Sequence, residues 1–209
     1  MKIIDIQNWK RKEHFEFFSQ MASPYFGFVA EVDCTKCYEN AKEKGHSFYA
    51  SYFHKSLAAI NEIEEFRYRI VGDDVLCYDA INAETTIMRG DETFGFARIN
   101  FSKDFSTFNA ELQQEIEAVQ NSTGLRLIDG EPKMDVIHFS SIPWNSFTGL
   151  LQPSTLDNSV SIPRIVFGKF FIRDNRKIMP VSIEAHHALM DGFHLSKYLA
   201  EFQRQLDLD

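Results

Sequence analysis

The chain has 209 residues, 44% of them hydrophobic, enough to bury a sizeable core. Its 22 Lys plus Arg against 30 Asp plus Glu leave a formal charge of −8, which argues against nonspecific nucleic-acid binding and makes any polyanionic ligand depend on a local basic spot. No stretch approaches the ~20 apolar residues of a membrane helix, and the opening "MKIIDIQNWKRKEH" leads into no long apolar run, so the expectation is a cytoplasmic protein with no membrane partner.

In chain order, "RKEHFEFFSQMA" reads as a helix and "YFGFVAEVD" as a strand. Asp33 is placed to cap a helix through "CTKCYENAKEKG", which holds Cys34 and Cys37 in CxxC spacing. With a third cysteine at 77 and no second pair, the cysteines are read as reduced and structural. "SFYASYFHKSLAAINEI" carries Tyr49, Phe53, Leu57 and Ile60 at helical spacing and is apolar over much of its circumference, the mark of a buried helix. "FRYRIVGDDVLCYDA" reads as two strands around a Gly-Asp-Asp turn, and strand-like residues continue through "TTIMRGDETFGFARINFS". Phe105, Phe108, Leu112, Ile116 and Val119 mark the inner face of an amphipathic helix, after which "MDVIHFSSI" returns to strand. "RIVFGKFFIRDNRKIMPVSIEAHHAL" holds two β-rich runs around a polar turn. Leu195, Leu199, Phe202 and Leu206 then give a last helix with Asp191 as its N-cap. There is no repeat and no linker, so residues 1–209 are treated as one α/β domain with a mixed, largely antiparallel sheet covered by helices.

Twenty phenylalanines imply a densely packed interior, with some left for an aromatic pocket or a subunit interface. The residues that invite chemistry lie in "EAHHALMDGFH", 184–194. On a continuous helix His187, Asp191 and His194 would share one face, as metal ligands do. Strand character over 181–185 and Gly192 at a capping position predict instead that the chain turns between the two histidines, so no metal is expected. The residue types alone leave two readings open: a base with its supporting carboxylate, or a structural corner with a cap.

"HHALMDG", 186–192, matches the HHxxxDG signature of the chloramphenicol acetyltransferase family. "NWKRKEHFEFF", "EEFRYRI" with "DDVLCYDA", "DETFGF", "FSSIPWNSF" and "IPRIVFGKF" resemble that family's blocks in the same order, so the likeness covers most of the chain. Acyltransferase cores of 2-oxo acid dehydrogenase complexes and peptide-synthetase condensation domains share HHxxxDG; the compact length and the N-terminal block resemble the first family more closely.

The resemblance implies an acetyl-CoA-dependent O-acetyltransferase acting on chloramphenicol. His187 would be the base and Ser140 the donor to the tetrahedral oxyanion. Asp191 would pair with Arg11, and His186 and His194 would be structural. Phe17 and Phe18 would line the acceptor pocket, and Trp144 and Lys169 would flank the coenzyme A channel. The family assembly implies a homotrimer with each site at a subunit boundary. Three pocket positions depart from the family pattern: Leu150 for a phenylalanine, Val166 for a threonine that helps hold a water, and His138 two residues before the serine. "LLQPSTLDNSVS", 150–161, lacks the Asn-rich motif. These differences keep two alternatives in view: the same chemistry on another hydroxylated acceptor, and a trimeric binding protein without turnover.

Overall fold

A computed structural model of the chain describes residues 1–127, 133–153 and 160–209; part of the 150–161 segment lies outside them. The strands are β1 (Lys2–Ile3), β2 (Tyr25–Asp33), β3 (Tyr68–Val71), β4 (Asp74–Cys77), β5 (Asn82–Met88), β6 (Phe94–Ile99), β7 (Val136–Ile142), β8 (Arg164–Gly168), β9 (Phe171–Arg173) and β10 (Arg176–His186). The α-helices are α1 (Lys12–Phe18), α2 (Thr35–Glu43), α3 (Phe48–Asn61), α4 (Phe105–Gln120) and α5 (Gly192–Leu206).

The larger sheet runs β2-β10-β8-β7-β5-β6, with β9 added to β10. β5–β7 and β7–β8 are parallel and the other pairings antiparallel, which agrees with the expected mixed sheet. Period-two alternation sends Ala83, Ile137, Phe139, Ile165, Phe167, Val181, Ile183 and Ala185 to one face, where they meet Phe53, Leu57 and Ile60 of α3, Phe108, Leu112 and Val119 of α4, and Leu195, Phe202 and Leu206 of α5. Each of these helices starts on a side-chain cap: Ser47 accepts from Ala50 N–H, Asp104 from Thr107 N–H, and Asp191 from Phe193 N–H. Tyr198 is fully buried and Leu199 only partly, so α5 turns its inner stripe slightly away from the one its leucines suggest.

Other local expectations shift in detail. α1 ends at Phe18, four residues before the end of the 11–22 stretch read as helix, and Ser19 caps it. Cys34 occupies the cap position of α2 while the Asp33 carboxylate accepts from the Thr35 N–H, so the aspartate still serves that helix end. Cys34 and Cys37 are buried, and burial pushes their thiols up to about 12 and about 11, which suits structural cysteines. The polar turn after residue 171 is a tight β9–β10 hairpin with Asp174 and Asn175 both at positive φ (49° and 60°), a backbone twist that aspartate and asparagine tolerate. What reads as two β-rich runs there is three strands, because Lys169 and Phe170 interrupt the first.

The strands of "FRYRIVGDDVLCYDA" do not join the larger sheet. β3 and β4 form a separate small sheet with β1, in the order β1-β4-β3. Its apolar residues Tyr68, Ile70, Val75 and Cys77 gather Ile4, Ile6, Trp9 and Phe15 from the N-terminal arm and, from the far end of the chain, Leu189. Trp9 meets Tyr68 edge-on, centroids 5.5 Å apart. The buried Arg69 fastens this sheet to the larger one by donating to the carbonyls of Phe66, Tyr68 and Val136. The small sheet is thus a seat for α1 and for the turn after β10. Leu189→Ala should cost about 2–5 kcal/mol, read as a lower urea midpoint with an unchanged slope. The Leu189 side chain is fully buried.

Candidate active site

β10 ends at His186, and the chain turns through residues 187–190 before Asp191 caps α5. The expected turn between His187 and His194 is there, but Gly192 does not cause it: it is the first residue of α5, has no positive φ, and a Cβ added to it would meet nothing within 4 Å. What shapes the turn is its hydrogen bonds. Leu189 N–H donates to His186 O at 3.0 Å, and His187 N–H donates across to Pro24 O at 2.8 Å.

The His187 ring lies flat against Phe18, centroids 3.9 Å apart and planes within 10°, and Phe26 closes on it at 4.3 Å. Its Nδ1 is 3.2 Å from the Met190 carbonyl. A carbonyl can only accept, so Nδ1 carries the proton and the Nε2 lone pair is left to take another. Arg11 donates to an Asp191 carboxylate oxygen at 2.7 Å and to the His187 carbonyl at 3.2 Å, tying together both ends of the turn. Burial alone would raise the Asp191 carboxyl; the Arg11 hydrogen bond and His194 outweigh it and hold the group below the ordinary carboxylate range. His186 is fully buried, and its Nδ1 accepts from Ala188 N–H.

Ser140 sits elsewhere, on the sheet face turned away from the core. It lies opposite Val166, and Val166 opposite Ser182, in one row across β7, β8 and β10. Val166 is buried and offers no hydroxyl; the Ser140 partner is Thr86 of β5, oxygen to oxygen 3.1 Å. The next row is ionisable: Glu184 opposite Arg164, Arg164 opposite His138, His138 opposite Glu84, and Glu84 opposite Arg98. Within it Arg164 lies 3.6 Å from Glu184, and His138 lies 3.4 Å from Glu84. His138 is the most open of these four, at 41% side-chain exposure.

Ser182 lies four residues before the end of β10, with His187 just beyond that end, and Ser140 is two strands away from Ser182. At ~3.3 Å per residue and ~4.8 Å per strand this puts Ser140 and His187 roughly 19 Å apart in one chain. One chain therefore presents two separate clusters. Arg11, Phe18, His187 and Asp191 are together in one of them; Ser140, Val166 and His138 are together in the other. The segments that carry Trp144 and Lys169 are joined just past the Ser140 row, where Lys169 N–H donates to Asn145 O at 2.9 Å, and both side chains are exposed. Gly168 is required nearby, since a Cβ there would fall 2.6 Å from Pro180 and 2.8 Å from Phe147. Phe17 packs edge-on against Phe18 and is otherwise exposed, and Leu150 lies partly exposed in the loop after β7.

Three contributors were not legible as such in the sequence: Phe26, Thr86 and the Met190 carbonyl. The first two come from strand register, and a backbone oxygen leaves no trace in residue identity. Among the described residues, no group of three or more His, Cys, Asp or Glu is placed to hold a metal ion, and no helix is long and apolar enough to cross a membrane.

The family model for chloramphenicol acetyltransferase matches residues 1–203. A chloramphenicol acetyltransferase of Proteus mirabilis is 28% identical over 206 residues, covering 98% of this chain and 94% of that protein. One of Clostridium perfringens is 30% identical over 203 residues, covering 96% and 92%. A solved chloramphenicol acetyltransferase structure superposes with a TM-score of 0.90 at 33% identity, covering 99% of both chains. The truncated catalytic core of a 2-oxoacid dehydrogenase complex from Thermoplasma acidophilum shares the fold at a TM-score of 0.65 and 14% identity, covering 99% and 98%. Motif, fold and full-length similarity agree: the chain belongs to the chloramphenicol acetyltransferase family.

Proposed function

We propose that this protein transfers the acetyl group of acetyl-CoA to a hydroxyl of chloramphenicol, at sites built between neighbouring copies of the chain. The observation that carries the reading is the His187 imidazole, whose Nδ1 proton is held by the Met190 carbonyl so that Nε2 is the free base. Nε2 takes the acceptor's hydroxyl proton, and the alkoxide oxygen bonds to the thioester carbonyl carbon. The oxyanion that forms is met by the Ser140 hydroxyl, which is free to donate when Thr86 donates to its oxygen. The C–S bond then breaks, and the imidazolium returns its proton to the departing thiolate. The electron pair of the new ester bond comes from the alkoxide and that of the old bond leaves with sulfur, so no acyl-enzyme forms.

The separation of Ser140 from His187 supports the shared site, because neither half can serve the other's substrate within one chain. A homotrimer closes this arrangement head to tail, each chain lending its histidine corner to the next chain's serine row. Trp144 and the Lys169 ammonium stand just past the Ser140 row, which suits them to receive the coenzyme A arm of the donor in a protein whose net charge would otherwise repel it. Phe18, with Phe17 beside it, forms the aromatic wall next to His187, and Val166, His138 and Leu150 complete the acceptor side.

The ionisable row beside Ser140 favours a second reading of the acceptor. His138 backed by Glu84 puts a half-exposed polar group two residues from the serine, a surface suited to a more polar hydroxylated molecule than chloramphenicol. Thiol release measured across a panel of acceptors, with products identified by mass, decides between the two; a higher kcat/KM for a polar acceptor would move the assignment.

His187→Ala should reduce thiol release roughly a hundred- to ten-thousand-fold, and Ser140→Ala should reduce kcat roughly a hundred- to thousand-fold. Thiol release at the same background rate from wild type and His187→Ala, with every acceptor, would identify a binding protein instead. Neither variant alone should regain activity, but co-refolding the two in equal amounts should restore about a quarter of the wild-type sites in a cyclic assembly. No recovery would place both residues of each site in one chain.

A further inference from the structure

Arg11 holds Asp191 from the side of the N-terminal arm, and a second pair holds it from the other side. His194, in the first turn of α5, has its Nδ1 2.9 Å from an Asp191 carboxylate oxygen and accepts from the Asp191 N–H at 3.1 Å. Its Nε2 lies 3.4 Å from the carboxylate of Glu65, in the short 3-10 turn Glu64–Arg67 that precedes β3. Because Nδ1 accepts from the Asp191 N–H, the ring carries its proton on Nε2, which faces the Glu65 carboxylate, and Glu65 fixes the plane of the ring. Glu65 is itself anchored: Lys197 stands 3.9 Å from it, and the neighbouring Phe66, fully buried, packs on Tyr198 of α5 with centroids 5.3 Å apart.

We propose that His194 and Glu65 are positioning residues for the His187 base, acting through Asp191 as the second jaw of a clamp whose first jaw is Arg11. This rests on the reading of His187 as the base. Asp191 is reached by both jaws, and Arg11 also reaches the His187 carbonyl, so a change at Glu65 arrives at the imidazole through three side chains, His194, Asp191 and Arg11, and one backbone oxygen. The His194 hydrogen bond holds the Glu65 carboxyl down at about 2 against the opposing effect of burial, so the carboxylate is ionised throughout the range in which a histidine base works. A shift of an ångström at a base costs orders of magnitude in rate while leaving substrate contacts in place. A purely structural pair would lower stability and leave the turnover of the folded protein alone.

The test uses Glu65→Gln, Glu65→Ala and Arg11→Lys in the full assembled protein, with kcat and KM measured separately. Glu65→Ala should lower kcat about tenfold with both KM values within about twofold, Glu65→Gln should recover part of that loss, and Glu65→Ala with Arg11→Lys should be non-additive, because both act on one carboxylate. Imidazole ¹⁵N NMR gives a readout that does not need turnover: wild type should show His187 as the Nδ1–H tautomer, and Glu65→Ala a mixture. A lower melting temperature with unchanged kcat and an unchanged His187 signal would overturn the proposal. If wild type acetylates no acceptor, the catalytic reading fails by itself, and the NMR comparison still decides whether Glu65 governs the ring.

Discussion

The bridge from Arg11 to the turn after β10 is the constraint on which the rest of this site depends. One guanidinium, at the eleventh residue of the sequence, binds a carboxylate and a carbonyl 180 and 176 residues away. The ion pair is only partly screened, with 13% of the Arg11 side chain and 33% of Asp191 exposed, so its partners cannot be exchanged for water without cost. Planarity matters: the fork reaches the cap of α5 and the His187 carbonyl at once, and a lysine ammonium cannot span both with fixed geometry. Around that bridge the fold supplies apolar weight, with Leu189 and Phe15 seated in the small-sheet cluster and Met190 in the main core. The small sheet otherwise looks dispensable. Its contribution is to keep the arm where Arg11 can reach.

Much of this was legible in residues. β2 spans the stretch whose alternation announced it, and the capped start of α5 follows from Asp191. Buried apolar stripes at helical spacing located α4 and α5 because packing and periodicity ask for the same residues there. The division into two sheets was not legible. Tyr68–Val71 and Asp74–Cys77 have the composition of any half-buried hairpin, and which sheet a hairpin joins depends on contacts with residues far away in sequence, Val136 for Arg69 and Leu189 for the apolar face.

The site divides the same way. The pairing of Arg11 with Asp191 and the strand-to-helix turn were expected from motif and resemblance, and the geometry bears the contact out. Phe26 and Thr86 emerged only with register, since their alternation says which face they take and nothing about who stands opposite. His194 looked structural and is structural in its contacts; its interest lies in what those contacts hold. Val166 illustrates a substitution whose meaning changes with its neighbours: the hydroxyl absent from β8 is matched by one from β5, on the opposite side of the serine.

The row that carries Ser140 has a consequence for how this chain tolerates change in length. Ser140 faces outward only because β7, β8 and β10 hold their present alignment; moving β7 by a single residue would turn the serine into the core and bring Phe139 out. Insertions and deletions are therefore confined to the loops between strands, while the interiors of β7 and β8 can vary in chemistry but not in number. Under the proposed function, acceptor preference in such a scaffold diverges by swapping side chains on a fixed lattice, at positions such as 138 and 166, and not by sliding the lattice itself.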